Sequence, residues 1–207
     1  MNKISFNSLS VCILIFIFFN SGCSFVSKPA NFYLLTPIAD NSDKSHQQKH
    51  ESFTKENWII GVGPIALAKH LQRKQIISRT HIKQLQIEEF ERWAEELDDN
   101  ISSVISENLG TLMNTKVILI YPWNETINLD YQIEINIRYF TVDENNNVKL
   151  IAVWSILDTK NNKLFHIKRS EIISPVMGNT INDQINAQNQ ALLDLRKNIA
   201  NQFVNEE

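Results

Sequence analysis

The chain has 207 residues, and its 20 basic and 23 acidic side chains leave a formal net charge of −3. That mild acidity excludes an electrostatic footprint for nucleic acid and a polybasic patch for anionic membranes. Five glycines and five prolines exclude long low-complexity linkers, no repeat of solenoid length is present, and two cysteines are too few for a disulfide scaffold.

Met1-Asn2-Lys3 places one positive charge ahead of Leu9 to Phe19 (LSVCILIFIFF), an almost wholly apolar run. As a helix this run spans about 16 Å, roughly half of a bilayer core, so it suits a signal-peptide h-region better than a transmembrane anchor. Ser21-Gly22-Cys23 follow. The order of charge, apolar run, small residues and Cys resembles the lipobox of bacterial lipoproteins, with Asn20 where Leu is usual. The resemblance implies that residues 1–22 are a signal peptide and that Cys23 is the lipidation site, carrying acyl chains such as palmitate. Residues 23–30 then form the lipidated tether. Cys12 departs with the h-region, so the mature chain keeps one cysteine and forms no intrachain disulfide. A lone free thiol is a hazard in an oxidising compartment, and a thioether to lipid removes it. Ordinary secretion with a free thiol at Cys23 is the alternative. Ser24, where Asp would favour retention in the inner membrane, points to an outer-membrane lipid anchor on the periplasmic side.

Residues 31–207 read as a single α+β domain with one core. Asn31 to Thr36 is predicted as a strand ended by Pro37, and residues 40–57 as a mobile polar loop. Trp58 to Val62 is a second strand, which Gly63-Pro64 is expected to break. Gln75–Arg79 and His81–Ile87 suggest a hairpin or consecutive edge strands. Phe90, Trp93, Leu97, Ile101, Val104, Ile105, Leu109 and Leu112 recur at helical steps. Asp98 or Asp99 capping an inner start is the alternative, with Glu88 to Glu96 irregular. Lys116 to Tyr121 is predicted as a buried strand closed by Pro122. Tyr131, Ile133, Ile135, Ile137 and Tyr139 alternate with polar partners, as do Val148 to Ile156, and Leu164 to Ile173 completes an antiparallel meander. The last helix, Asn182 to Val204, opens with capping-box spacing at Thr180 and Asp183. The predicted fold is therefore a mixed, mainly antiparallel sheet with two amphipathic helices packed on one face.

No catalytic signature is present. The five histidines form no HExxH, and the sequence has no GxSxG, P-loop or GxGxxG. No metal site and no cofactor beyond the covalent lipid on Cys23 are expected. The acidic run Glu88, Glu89, Glu91, Glu95, Glu96, Asp98 and Asp99 is read as the solvated face of a helix rather than a glycosidase carboxylate pair. His46 and His50 stand four apart without a helical apolar face, Asn124-Glu125-Thr126 is a sequon by letter only, and Trp93 and Trp154 are expected in the core. The basic link around Leu71, Arg73 and Arg79 is the candidate partner-binding surface, against the plain reading of a solvated loop.

Five stretches together resemble the ABC-type transport auxiliary lipoproteins of the PqiC (YmbA) kind: Asn31-Phe32-Tyr33-Leu34-Leu35-Thr36-Pro37, Gly61-Val62-Gly63-Pro64-Ile65, Gln75-Ile76-Ile77-Ser78-Arg79, Phe90 to Asn100 (FERWAEELDDN) and Tyr121-Pro122-Trp123. Two departures stand out. Glu96 occupies a position where the family often has Pro, which suggests an earlier helix start. His70 to Gln75 (HLQRKQ) replaces a Tyr-Leu-Asp-Arg-Pro-Gln pattern. The resemblance implies a non-enzymatic accessory subunit of an intermembrane lipid transport system, supporting envelope integrity. Its partners would be an MCE-domain tube protein and the associated inner-membrane permease, met by a homo-oligomeric ring of the lipoprotein. A component of another envelope secretion or assembly machine is the alternative. Only Cys23 acquires a defined chemical role.

Overall fold

Three long strands set the frame: β6 (Tyr131–Val142), β7 (Asn147–Asp158) and β8 (Lys163–Pro175), joined as an antiparallel meander. Val148, Leu150, Ala152, Trp154 and Ile156 of β7 all point inward and are buried. On β6 the inward set is Ile133, Ile135 and Ile137, followed by Phe140 and Val142. The step from odd to even numbers comes from one extra residue at Arg138, where the register with β7 shifts. Such a bulge exchanges the two faces of everything beyond it. Tyr139, predicted on the apolar stripe, is therefore turned to the other face. Asn146 (φ 58°) and Asn162 (φ 48°) take left-handed positions in the two connecting turns, which Asn tolerates better than most residues. Asp143 and Asp158 accept backbone N–H groups in those same turns.

This computed structural model describes residues 28–38, 58–81, 84–113, 115 and 117–203, with the side chains of 79–81 left out. The signal peptide, Cys23 and the loop expected at 40–57 lie outside the described residues. The other strands are β1 (Asn31–Tyr33), β2 (Ile59–Leu67), β3 (Gln75–His81), β4 (Gln84–Trp93) and β5 (Val117–Ile120). Across from β7, the free edge of β6 takes two neighbours in succession. Parallel β2 pairs with residues 131–137, and β3 joins further along at Ser78 and Val142. The sheet thus forks into one limb of β2 and β5 and another of β3, β4 and β1. It is mixed, with the antiparallel ladders the longer ones.

Two helices close the inner face: α1 (Leu97–Met113) over β2 and β5, and α2 (Ile181–Ala200) over the meander. Their stripes, Ile101, Val104, Ile105 and Leu109 against Ile185, Leu192, Leu195 and Ile199, belong to the same apolar cluster as the inward strand residues. The capping box forms as expected: Thr180 accepts from the Asp183 N–H, and Asp183 accepts from the Thr180 N–H. Between the helices Arg196 is 1% exposed and donates to the Asn108 carbonyl at 3.0 Å.

Four expectations are corrected. Gly63-Pro64 does not end β2, which runs on to Leu67 past a register shift between Val62 and Ile65. Lys116 to Tyr121 gives only the short β5, a half-exposed edge strand rather than a buried one. Glu88 to Trp93 is neither helical nor irregular; it is the end of β4, held between β3 and β1. The helix starts at Leu97 and no earlier. Strand pairing on both sides of β4 overrides the three-and-four spacing of Phe90, Trp93 and Leu97.

The link between β2 and β3 coils tightly at the fork. Leu71 N–H donates to the Ala68 carbonyl, Arg73 N–H to the Leu71 carbonyl, and the Gln72 amide to the Leu67 carbonyl. Leu71, proposed from sequence as a partner contact, is 2% exposed and lies in the main apolar cluster. An apolar side chain in a basic stretch suggests display, whereas burial at the fork is where it gains most. Leu71→Ala is expected to lower the unfolding free energy by about 2–5 kcal/mol in a denaturant titration, and a neutral result would return the residue to a surface role.

Candidate functional site

Residues 28–38 form a strap that leads from the expected tether into the domain, and β4, α1 and α2 hold its polar groups in turn. β1 adds in parallel to the end of β4, pairing Asn31, Phe32 and Tyr33 with Glu91, Arg92 and Trp93. The Asn31 amide donates to both Glu91 carboxylate oxygens at 3.2 and 3.0 Å, and the Tyr33 hydroxyl donates to Oε2 at 2.7 Å. Those bonds, Tyr33's foremost, hold the Glu91 carboxyl below the usual carboxylate range. The same bond raises the Tyr33 phenol.

Beyond β1 the strap meets the helices. Leu35 N–H donates to Asn100 Oδ1 at 2.7 Å, and Asn100 Nδ2 donates back to the Leu35 carbonyl at 3.1 Å. One residue on, Thr36 N–H donates to Asn189 Oδ1 at 3.0 Å and Asn189 Nδ2 to the Thr36 hydroxyl at 3.2 Å. Asn100 is on α1 and Asn189 on α2, and both are buried. The strap thus completes two amides that the core would otherwise leave short of partners. Asn100 was visible from sequence only as the last residue of FERWAEELDDN, and nothing in the sequence singled out Asn189.

A second cluster occupies the other limb. A Cβ on Gly61 would stand 2.6 Å from Leu129 and 2.8 Å from Trp123, and one on Gly63 (φ 122°) 2.6 Å from Tyr121 Cβ. Tyr121 N–H donates to the Val62 carbonyl at 3.0 Å, and the Tyr121 and Trp123 rings meet edge-on at 5.5 Å. The two glycines are there because the aromatic turn lies directly on the backbone of β2. The five stretches noted in the sequence therefore assemble as two sets. Asn31–Pro37, Gln75–Arg79 and Phe90–Asn100 meet on the β3-β4-β1 limb, and Gly61–Ile65 and Tyr121–Trp123 on the β2-β5 limb.

The acidic run is distributed over a strand, a turn and the first turn of α1. Glu91 is engaged by the strap, Glu89 pairs with Arg92 at 3.7 Å and Glu96 with Lys74 at 3.6 Å. Among the described residues no three His, Cys, Asp or Glu side chains converge to hold a metal ion, and no helix is long and apolar enough to cross a membrane. His46 and His50 lie outside the described residues. Arg73 is half-buried, its Nε without a hydrogen-bond partner among the described residues. Arg79 lies on β3 opposite Leu85, its side chain outside the described residues.

Asn100→Ala is expected to cost about 1–3 kcal/mol of stability, since it strands the buried Leu35 backbone groups. Amide hydrogen exchange at Leu35 and Thr36 should accelerate well beyond that of the meander strands; uniform acceleration would show that the strap is not separately held.

No curated protein matches the sequence. Among solved structures, an uncharacterised protein is 14% identical with a TM-score of 0.68, over 85% of this chain and 99% of that one. Protein XCC0632 from Xanthomonas campestris, of the DUF330 family, is 15% identical with a TM-score of 0.64, over 83% of this chain and 93% of that one. At such identities the likeness establishes the shared fold alone. The sequence profile of the ABC-type transport auxiliary lipoprotein component family matches residues 33–200, from the last residue of β1 to the end of α2. The chain belongs to that family of lipoproteins auxiliary to ABC-type transport.

Proposed function

We propose that this protein is a non-enzymatic subunit of an MCE-type intermembrane lipid transport system, anchored by acyl chains on Cys23 to the periplasmic side of the outer membrane. It docks the outer end of an MCE-domain tube whose inner end is served by the permease. The observation that carries this reading is the strap. A chain that serves only to localise a domain needs no fixed exit, yet here the segment leading from Cys23 is bonded to β4, α1 and α2 together. A pull on the anchor is delivered to the whole core, as a docking element under tension requires. The acidic run supplies ion pairs and strap contacts rather than a facing carboxylate pair, which favours a binding role over catalysis.

Assembly into a ring is supported by the edges of the sheet. Among the described residues, β8 has no further neighbour beyond β7, and β5 has none beyond β2. Both edges expose large apolar residues: Leu164, Ile167 and Ile173 on β8, Val117 and Ile120 on β5. Unlike edges that meet head to tail generate a closed ring when the rotation per subunit permits. Uncovered strand edges also invite pairing unless a partner takes them. Arg73 and Arg79 remain the candidate polar contacts to the tube protein.

Affinity capture of the tagged lipoprotein should recover an MCE-domain protein, and its absence where both are expressed would refute the assignment. Cys23→Ser should leave the domain folded, release it from the membrane fraction and weaken the envelope barrier; a barrier of normal strength would oppose the anchoring role. Light scattering of the Ile167→Lys, Ile173→Lys double variant should report a monomer in place of the assembly, with unchanged circular dichroism. Retention of the full assembly would exclude β8 as an interface.

A further inference from the structure

The outer face of the β3-β4-β1 limb carries an apolar patch that the domain itself leaves uncovered. Phe32 is 65% exposed, Leu34 45% and Phe90 38%. Phe32 pairs with Arg92 in the β1–β4 register and shares its face, turned away from the core side where Tyr33 and Trp93 pack. The Lys28 ammonium lies 5.6 Å from the centre of the Phe90 ring. Two aromatic rings and a leucine, flanked by a lysine and an arginine on flexible stems, are the side-chain types that settle at a bilayer interface, apolar bodies down and cations level with the headgroups.

Chain length says what covers this patch. Lys28 stands five positions after Cys23 and Phe32 nine. Fully extended, these reach only about 17 Å and about 30 Å. From Asn31 onward the strap is bonded to the domain and adds no slack. A lipid-bearing Cys23 therefore keeps Phe32 and Phe90 beside the membrane, while β8 lies at the far side of the sheet. Glu91, kept ionised by hydrogen bonds from Asn31 and Tyr33, and Glu89, paired with Arg92, set two negative charges against those of Lys28 and Arg92, so the attraction of the patch is apolar rather than ionic.

We infer that Phe32, Leu34 and Phe90, bracketed by Lys28 and Arg92, form a second membrane contact that lies on the bilayer surface beside the lipid anchor and fixes the orientation of the domain. The inference rests on the lipidation of Cys23, and the test keeps the two separable.

The native cysteines are Cys12, lost with the signal peptide, and Cys23, blocked by lipid, so a single introduced cysteine is the sole free thiol of the mature protein. Nitroxide labels are placed on the full lipidated chain at Phe32→Cys, Leu34→Cys or Phe90→Cys, with Glu125→Cys on the exposed β5–β6 loop as reference. The probe is vesicles of phosphatidylethanolamine and phosphatidylglycerol. Co-flotation and mass spectrometry read the anchor, and relaxation by oxygen and by a water-soluble nickel complex reads depth. The expected result is co-flotation, a several-fold loss of nickel accessibility with a gain in oxygen accessibility at the three patch labels, and no change at Glu125→Cys. Insensitivity of this pattern to added salt is also expected. Co-flotation with patch labels as nickel-accessible as the reference would overturn the second contact and leave the anchor intact. Spin–spin broadening at Phe32→Cys or Phe90→Cys would overturn it in favour of a second copy. Failure to float, or a free thiol at Cys23, would overturn the anchor and this inference with it. Three independent label sites keep the test decisive if one variant misfolds.

Discussion

β6 is longer than either neighbour on its β2 side can cover, and the rest of the fold answers that mismatch. A buried strand must find partners for all its backbone N–H and C=O groups. β2 satisfies residues 131–137, and its continuation at Ala68 donates once more, to the Ile137 carbonyl. β3 then pairs further along the same edge. Two strands on one edge diverge, which makes the fork, and the coil at 68–74 must fill the angle between them. Leu71 does so. α1 leaves the end of β4 in one limb and delivers the chain to β5 in the other, so it bridges the fork across the inner face.

The strap is the second consequence. With α1 starting directly after β4, Asn100 arrives in its first turn beside the strap, and α2 brings Asn189 to the same place. Each amide exchanges donor and acceptor with one strap residue. A neutral hydrogen bond contributes only about 1 kcal/mol net. Removing the strap costs more than the sum of such bonds, because it leaves buried amides unpaired in a medium where that is expensive. The N-terminal segment is therefore part of the core's polar accounting and not a free leash.

Much of this was legible in the sequence. Alternation in β7 and in β6 as far as Ile137, turn residues between them, the β3–β4 hairpin and the Thr180–Asp183 capping box each express a local rule, and each appears where it was expected. What failed depends on distant partners. Phe90, Trp93 and Leu97 keep helical spacing, yet β1, far away in sequence, pairs with Glu91 to Trp93 and holds the end of β4 as a strand. Gly63-Pro64 reads as a break, yet β2 accommodates it at a register shift, where a ladder donor is not needed. The bulge at Arg138 leaves no mark in the hydropathy pattern, because Tyr139 and Phe140 are both large and apolar. The residues that hold the strap were the least visible. A buried Asn looks like any surface Asn until its backbone partner is known.

The forked sheet also separates two kinds of contact that a tethered docking protein must keep apart. A single lipidated residue fixes distance from the membrane but not the orientation of the domain. A second contact through Phe32 and Phe90 removes most of the remaining rotational freedom, because the strap that carries Phe32 is bonded to β4 and both helices. Orientation imposed at β1 is then rigidly transmitted through β4, β3 and β6 to β8 at the opposite side of the sheet, and through α1 to β5. In the proposed ring, subunits already aligned on the membrane plane meet edge to edge by diffusion in two dimensions. The rotational entropy that association would otherwise cost has been surrendered beforehand. Edge contacts therefore need less free energy to hold the ring at the membrane than they would in free solution.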